Sequence, residues 1–221
     1  VDDIADKLKT GHVALGEAHG TPYAKAVLVA LLKKYADRIQ AIFLEQIPGK
    51  GMLIPRDMLL GALIGAQGFG DSMLVELAQE IKEAGKHTNF YAFAPIYNYG
   101  VSGQPSKTIL IPINEQRPNV KIPCVYVSTS HEPSQLANLS SQGQTIRNWN
   151  MAKAFTHVAG DRGCIVLNGS VQLIPNPDSK KQIKHRADYL PALCGIQHVF
   201  ALSSIIDRSK QSADPSAAYW N

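Results

Sequence analysis

The chain alternates short apolar runs with longer stretches in which apolar residues recur every three or four positions. A short run bounded by glycine or a polar turn reads as a buried strand, and the longer spacing reads as an amphipathic helix. Residues 2–10 predict a helix that stops at Gly11, followed by a buried strand at 12–16 (HVALG). Thr21 and Pro22 suit an N-cap and a first helical position. Tyr23, Ala26, Val27, Ala30, Leu31 and Leu32 then carry a helix over 22–38, and 41–44 (AIFL) is the next strand. Strand, turn, helix, strand is the order of a parallel βαβ unit.

The segment 47–72 differs, with six glycines and two prolines around an apolar stretch at 58–64. It predicts a loop with a short helix or helical hairpin, placed to cover the C-terminal end of the second strand. Leu74, Leu77, Ala78 and Ile81 make a further helical stripe ending near Gly85, and 89–94 (NFYAFA) is a strand. Residues 95–121 are irregular, a surface loop or an irregular hairpin with one short strand at 109–113. A strand at 123–127 follows, then a helix over 144–158 and a strand at 163–167, which 171–174 either continues or pairs back on. Residues 183–193 read as helical with an interruption at Pro191, 198–202 as the last strand, and 209–221 as a loose polar tail. The expected architecture is α/β: one mostly parallel sheet flanked by helices, in a single domain over 1–208, with a helical insertion at 47–86.

Composition narrows this only slightly. With 221 residues and 45% apolar content, the chain can bury one core and is not disordered as a whole. Its apolar runs are too short to span a bilayer. The net charge of +4 is scattered, and the densest basic run (Lys180, Lys181, Lys184, His185, Arg186) reads as a solvated face, so no nucleic-acid partner is expected. Cys124, Cys164 and Cys194 are odd in number, lack CxxC spacing and sit in or beside apolar runs, which points to buried thiols. The N-terminus, VDDIADKLKTG, does not read as a signal peptide.

The chemistry concentrates in Gly16-Glu17-Ala18-His19-Gly20-Thr21-Pro22. Glu17 and His19 lie two apart past the end of a predicted strand, where open parallel sheets bind ligands. In extended chain they point the same way, so a carboxylate and an imidazole would share one pocket. The second strand also ends in an acid, Glu45, followed by Gln46. If the two strands are neighbours, Glu45 comes close to Glu17 and His19, a group suited to acid–base work. The same acids are equally what helix caps or partners of Lys and Arg look like. No GxSxG elbow is present and no serine reads as sitting at a strand–helix apex, which leaves a serine nucleophile without a signature. There is no HExxH either. The histidines at 12, 87, 157, 185 and 198 read as structural or solvated.

GEAHGTP before a helix, and a strand ending in LEQ, resemble the start of the erythromycin esterase, ChaN and Tiki superfamily, with relatives among Ras-cleaving toxin proteases and Pasteurella-type toxins. The Glu17-x-His19 spacing is most similar to the toxin protease type. Downstream, Arg147-Asn148-Trp149-Asn150-Met151-Ala152 resembles a helix start of the same superfamily, and CIVLNG takes the place of its strand ending in GxxH. The resemblance covers roughly 11–46 and 144–174. It departs at Gln172, which stands where the pattern has histidine; an amide hydrogen-bonds but is no base. The resemblance implies hydrolysis of an amide or ester by water activated through Glu17, His19 and Glu45. Arg147 would steady an oxyanion, His131 is the candidate replacement histidine, and Gln46, Asn148 and Gln172 are substrate contacts. A divalent metal would rest on His19, Glu17, Glu45 and His131. The alternatives it implies are a ChaN-like protein that binds haem or a small ligand without turnover, and a degenerate effector domain that binds a partner. The site of action would be a bacterial cytoplasm or a host cell into which the domain is delivered.

Overall fold

The computed structural model describes residues 1–18, 21–45, 53–64, 71–93, 107–112, 121–126, 141–175, 183 and 185–202. Its centre is a five-stranded sheet in which every pairing is parallel. The strands are β1 (Val13–Glu17), β2 (Ala41–Leu44), β3 (Asn89–Ala92), β6 (Cys164–Gly169) and β7 (His198–Ala201), in the order β3-β2-β6-β1-β7. Two further strands, β4 (Lys107–Pro112) and β5 (Lys121–Tyr126), pair antiparallel with each other in a separate ribbon. Of the irregular segment 95–121, residues 95–106 and 113–120 lie outside the described residues, and the strand expected at 109–113 is β4.

The helices are α1 (Asp2–Lys7), α2 (Tyr23–Tyr35), α3 (Leu59–Ile64), α4 (Ser72–Ala84), α5 (Ser141–Val158), α6 (Ser170–Leu173) and α7 (Leu190–Cys194). None described is long and apolar enough to cross a membrane. They divide between the two faces of the sheet because strand side chains alternate. Val13, Leu15, Ile42, Leu44, Phe90, Ile165 and Leu167 pack with α1–α4. Ala14, Phe43, Tyr91, Cys164 and Val166 pack with α5, α6 and α7. On this second face Phe43 centres an aromatic cluster, with ring centroids 5.3 Å from Tyr91, 5.6 Å from Phe93 and 4.8 Å from Phe155.

Local chemistry explains the ends of α4. The Asp71 side chain accepts from the amides of Met73 (2.9 Å) and Leu74 (3.3 Å), an N-cap. At the other end the Arg56 guanidinium donates to the carbonyls of Lys82, Gly85 and Thr88, tying the post-β2 segment to the helix C-terminus. The described part of the 47–86 insertion is thus a layer on the α2 face; residues 46–52 and 65–70 lie outside the described residues.

Three expectations are corrected. The segment 171–174 neither extends β6 nor pairs back: Ser170–Leu173 forms a helical turn directly after the strand. A serine therefore does occupy a strand–helix junction, Ser170, with its Oγ donating to the Glu17 carbonyl at 3.3 Å. The third concerns strand order. β1 and β2 are not neighbours; β6 runs between them, pairing with both. Two-stranded periodicity cannot reveal that a strand more than a hundred residues later fills the gap.

Candidate functional site

The strand order creates a switch point. β1 leaves through α2 toward the β2 side, and β6 leaves through α6 and α7 toward β7, on the other face. Connections diverging from adjacent strands open a crevice at their C-terminal ends. Glu17, Gly169 and Glu45 stand along that edge. Glu17 is the register partner of Gly169, and the Glu45 amide donates to the Leu167 carbonyl at 3.3 Å. Spanning two strand spacings, β1 and β2 are roughly 10 Å apart.

The two carboxylates emerge on opposite sides of the sheet. Glu17 follows the register of Val13 and Leu15 and meets α2, where its Oε2 lies 2.9 Å from Lys25 Nζ. Both side chains are buried, at 6% and 3% exposure. Glu45 follows Ala41 and Phe43 to the α5 face. Its Oε2 accepts from the Gly169 amide at 2.8 Å, and its Oε1 accepts from Gln172 Nε2 at 2.9 Å. A donor on each oxygen suits the ionised form.

Around Glu45 lies a cluster of buried amides. Gln172 Nε2 also donates to Gln144 Oε1 (3.1 Å), and Gln172 Oε1 accepts from Asn168 Nδ2 (2.7 Å). Asn148 Nδ2 donates to the carbonyls of Gln172 (3.4 Å) and Asp188 (3.0 Å), and the Trp149 indole donates to Asp188 Oδ1 (3.1 Å). Asn148 and Asn168 are fully buried, and among the described residues the Oδ1 of each has no hydrogen-bond partner. Gly16 is required beside this edge: a Cβ there would stand 2.9 Å from Ser170 Oγ and 3.4 Å from Leu173 Cδ1.

Of the residues expected at the site, Glu45, Asn148 and Gln172 share this network, and Glu17 flanks it across Gly169. Arg147 lies on α5 one residue before Asn148, with its side chain outside the described residues. His19, Gln46 and His131 are likewise outside them. Among the described residues no three of His, Cys, Asp and Glu come together in a way that could hold a metal ion. Lys25, Gln144 and Asn168 were not anticipated. A lysine on a helix and an amide on a strand look like surface residues until the packing around them is known; the signal available for Lys25 was its spacing of three, four and seven positions from Leu28, Val29 and Leu32, which the stripe expected through the exposed Ala26 passed over.

Compared with family models, curated proteins and solved structures, the chain matches none.

The opposite, N-terminal edge of the sheet carries a cavity of about 780 Å³ lined by Leu8, Lys9, Asp37, Arg38, Gln40, Asp161, Arg162 and Gly163. Its cations already have partners: Arg38 pairs with Asp6 at 3.2 Å and Arg162 donates to the Lys9 carbonyl at 3.1 Å. Near this end His12 accepts from the Cys164 amide at Nδ1 (3.2 Å) and stands edge-on to Phe155, with centroids 5.1 Å apart. Burial holds its imidazole below the ordinary value, against the opposing influence of the Gly160 carbonyl and Asp161. Burial pushes the Cys164 thiol up to about 12 and raises Cys194 as well. These groups serve the core.

Proposed function

We propose that this protein is a hydrolase that cleaves an amide or ester bond, with water activated on Glu45; Glu17, paired with Lys25 on the opposite face, flanks it across Gly169, and His19 is the imidazole that the resemblance assigns to the same site. One observation carries the reading: Glu45 is a buried carboxylate fixed at the switch point by the Gly169 amide and the Gln172 side chain. A carboxylate held with both oxygens oriented at that edge is placed to take a proton from water, a contribution of roughly 10²–10⁴ in rate. The order of GEAHG, LEQ and RNWNMA along the chain supports it, because hydrolases of the erythromycin esterase and toxin-protease type resemble this arrangement. In this reading Arg147 stabilises the developing oxyanion and His131 supplies a second imidazole.

The test is a panel of peptide, protein, ester and lactone substrates, with Glu45→Gln as the decisive variant. Glutamine keeps the shape and one acceptor oxygen, removes the base, and sets an NH2 against one of the two N–H donors. Turnover is expected to fall at least a hundredfold in Glu45→Gln with the circular dichroism spectrum unchanged. Turnover within a few-fold of wild type would overturn the assignment.

A second reading is favoured by one residue. Gln172 replaces a base with an amide, and it is already engaged on Glu45. That suits a protein that binds haem, a small ligand or a partner without turnover, as ChaN-like proteins and degenerate effectors do. A haem titration followed by absorbance separates the readings: a saturable shift in the Soret band with no hydrolysis of any panel member supports binding.

A further inference from the structure

The amide cluster has a direction. Both N–H groups of Gln172 are in use, one on Glu45 Oε1 and one on Gln144 Oε1, while its Oε1 takes the Asn168 N–H. Turning the Gln172 amide over would set its oxygen against the Glu45 carboxylate and the Gln144 oxygen, and its nitrogen against that of Asn168. Turning Asn168 over would set oxygen against oxygen. One arrangement alone is compatible with a carboxylate at position 45.

That arrangement has a cost, visible at Asn168 and Asn148. Asn168 spends its N–H on Gln172, and Asn148 spends its Nδ2 on two backbone carbonyls, one of them that of Gln172. Each keeps a fully buried Oδ1 with no donor among the described residues. Buried acceptors without donors destabilise a fold; leucine would remove either one, but it would also take the N–H from Gln172 Oε1 at position 168, or from the Gln172 and Asp188 carbonyls at position 148. Both side chains hold Gln172, one by its side chain and one by its backbone.

We infer that Gln172 is a positioning residue for Glu45, oriented by Asn168, Asn148 and Gln144, and is not itself a substrate contact. This rests on the hydrolytic reading, in which Glu45 is the reacting carboxylate. The amide presents an N–H to Glu45 at every pH without titrating and without placing a positive charge against the carboxylate. Asn168 acts one step further out, through Gln172.

The experiment uses the full chain and the variants Asn168→Leu, Gln172→Leu and Glu45→Gln. Asn168→Leu deletes the orphaned oxygen together with the orienting N–H. The change removes one unserved acceptor and leaves another, Gln172 Oε1, so the expected result is a melting temperature within a few degrees of wild type, kcat lower by about tenfold or more, and KM within about twofold. A lower melting temperature with kcat unchanged would assign Asn168 a structural role and overturn the inference. A raised KM with kcat unchanged in Gln172→Leu would make Gln172 a substrate contact and overturn it too. A second measurement is independent of turnover. The side-chain amide resonances of Gln172 in a ¹H–¹⁵N spectrum are expected to shift in Glu45→Gln and in Asn168→Leu; resonances that stay in place would overturn the inference by themselves. Full turnover in Glu45→Gln, or none in wild type, defeats the hydrolytic reading, and the amide spectrum still decides whether Gln172 is held against Glu45.

Discussion

The Glu17–Lys25 pair offers a sharp test of how the strand edge is built. Lys25 is 3% exposed, and its ammonium meets Glu17 at 2.9 Å. An ion pair this deep contributes little net stability, because desolvating both charges offsets their attraction, but removing one partner strands the other. Glu17→Met keeps a long unbranched side chain and leaves the Lys25 ammonium without its carboxylate. The expected loss is about 3–5 kcal/mol, and for a chain of this size each kcal/mol lowers the melting temperature by roughly 2–4 °C. The double variant Glu17→Met/Lys25→Met removes both charges and replaces them with apolar side chains of similar length. It is expected to recover most of the loss and to lie within about 1 kcal/mol of wild type, or above it. Urea denaturation of the wild type, the single variants and the double variant completes the cycle, with unchanged m-values confirming that stability alone has moved. A loss below about 1 kcal/mol in Glu17→Met would refute the reasoning. So would a double variant no more stable than the single.

Three further outcomes follow from the opposite end of the sheet. His12 is held neutral by burial, so the unfolded chain takes up its proton first; its contribution to stability is full above the ordinary value of 6.5 and is lost as pH falls toward the lower folded value. Urea midpoints measured from pH 7.5 to 5 are expected to decline, and His12→Gln is expected to flatten that decline. Gly163 has φ of +79°, and a Cβ there would stand 2.9 Å from the Arg38 carbonyl, so Gly163→Ala is expected to cost about 2 kcal/mol by thermal denaturation. With burial raising both thiols, Cys164 and Cys194 are expected to react with a disulfide reagent at pH 8 only on unfolding; rapid modification of either in the folded protein would contradict their placement in the core.

Much of the fold was legible because strand and helix periods are local properties. The runs HVALG, AIFL, NFYAFA, GCIVL and HVFAL carry all five parallel strands, and the stripe Leu74, Ala78, Ile81 marks the buried face of α4. Pro191 reads as an interruption but lies in the first turn of α7, where a missing N–H costs nothing. The fate of the chain after Gly169 was not legible: SVQL is apolar enough for a strand, and its helical turn is set by packing of Leu173 against Leu190 and its neighbours on the α5 face. For the candidate site, the acidic ends of two strands were visible as residues with no periodic role. Their partners were not, since Lys25 and Asn168 look like ordinary polar positions until burial makes them costly.

By itself the sequence determined the period of each segment, and through it the α/β class, the strand ends at which Glu17 and Glu45 sit, and the alternation that sends side chains to one face or the other. What only the tertiary structure decided was which strands are neighbours. Inserting β6 between β1 and β2 separates the two carboxylates, gives Glu17 to Lys25 on one face, and gives Glu45 to Gly169 and Gln172 on the other. The physical reason is that periodicity records which face a residue buries, whereas strand order depends on contacts between segments more than a hundred residues apart, which leave no mark on the spacing within either one.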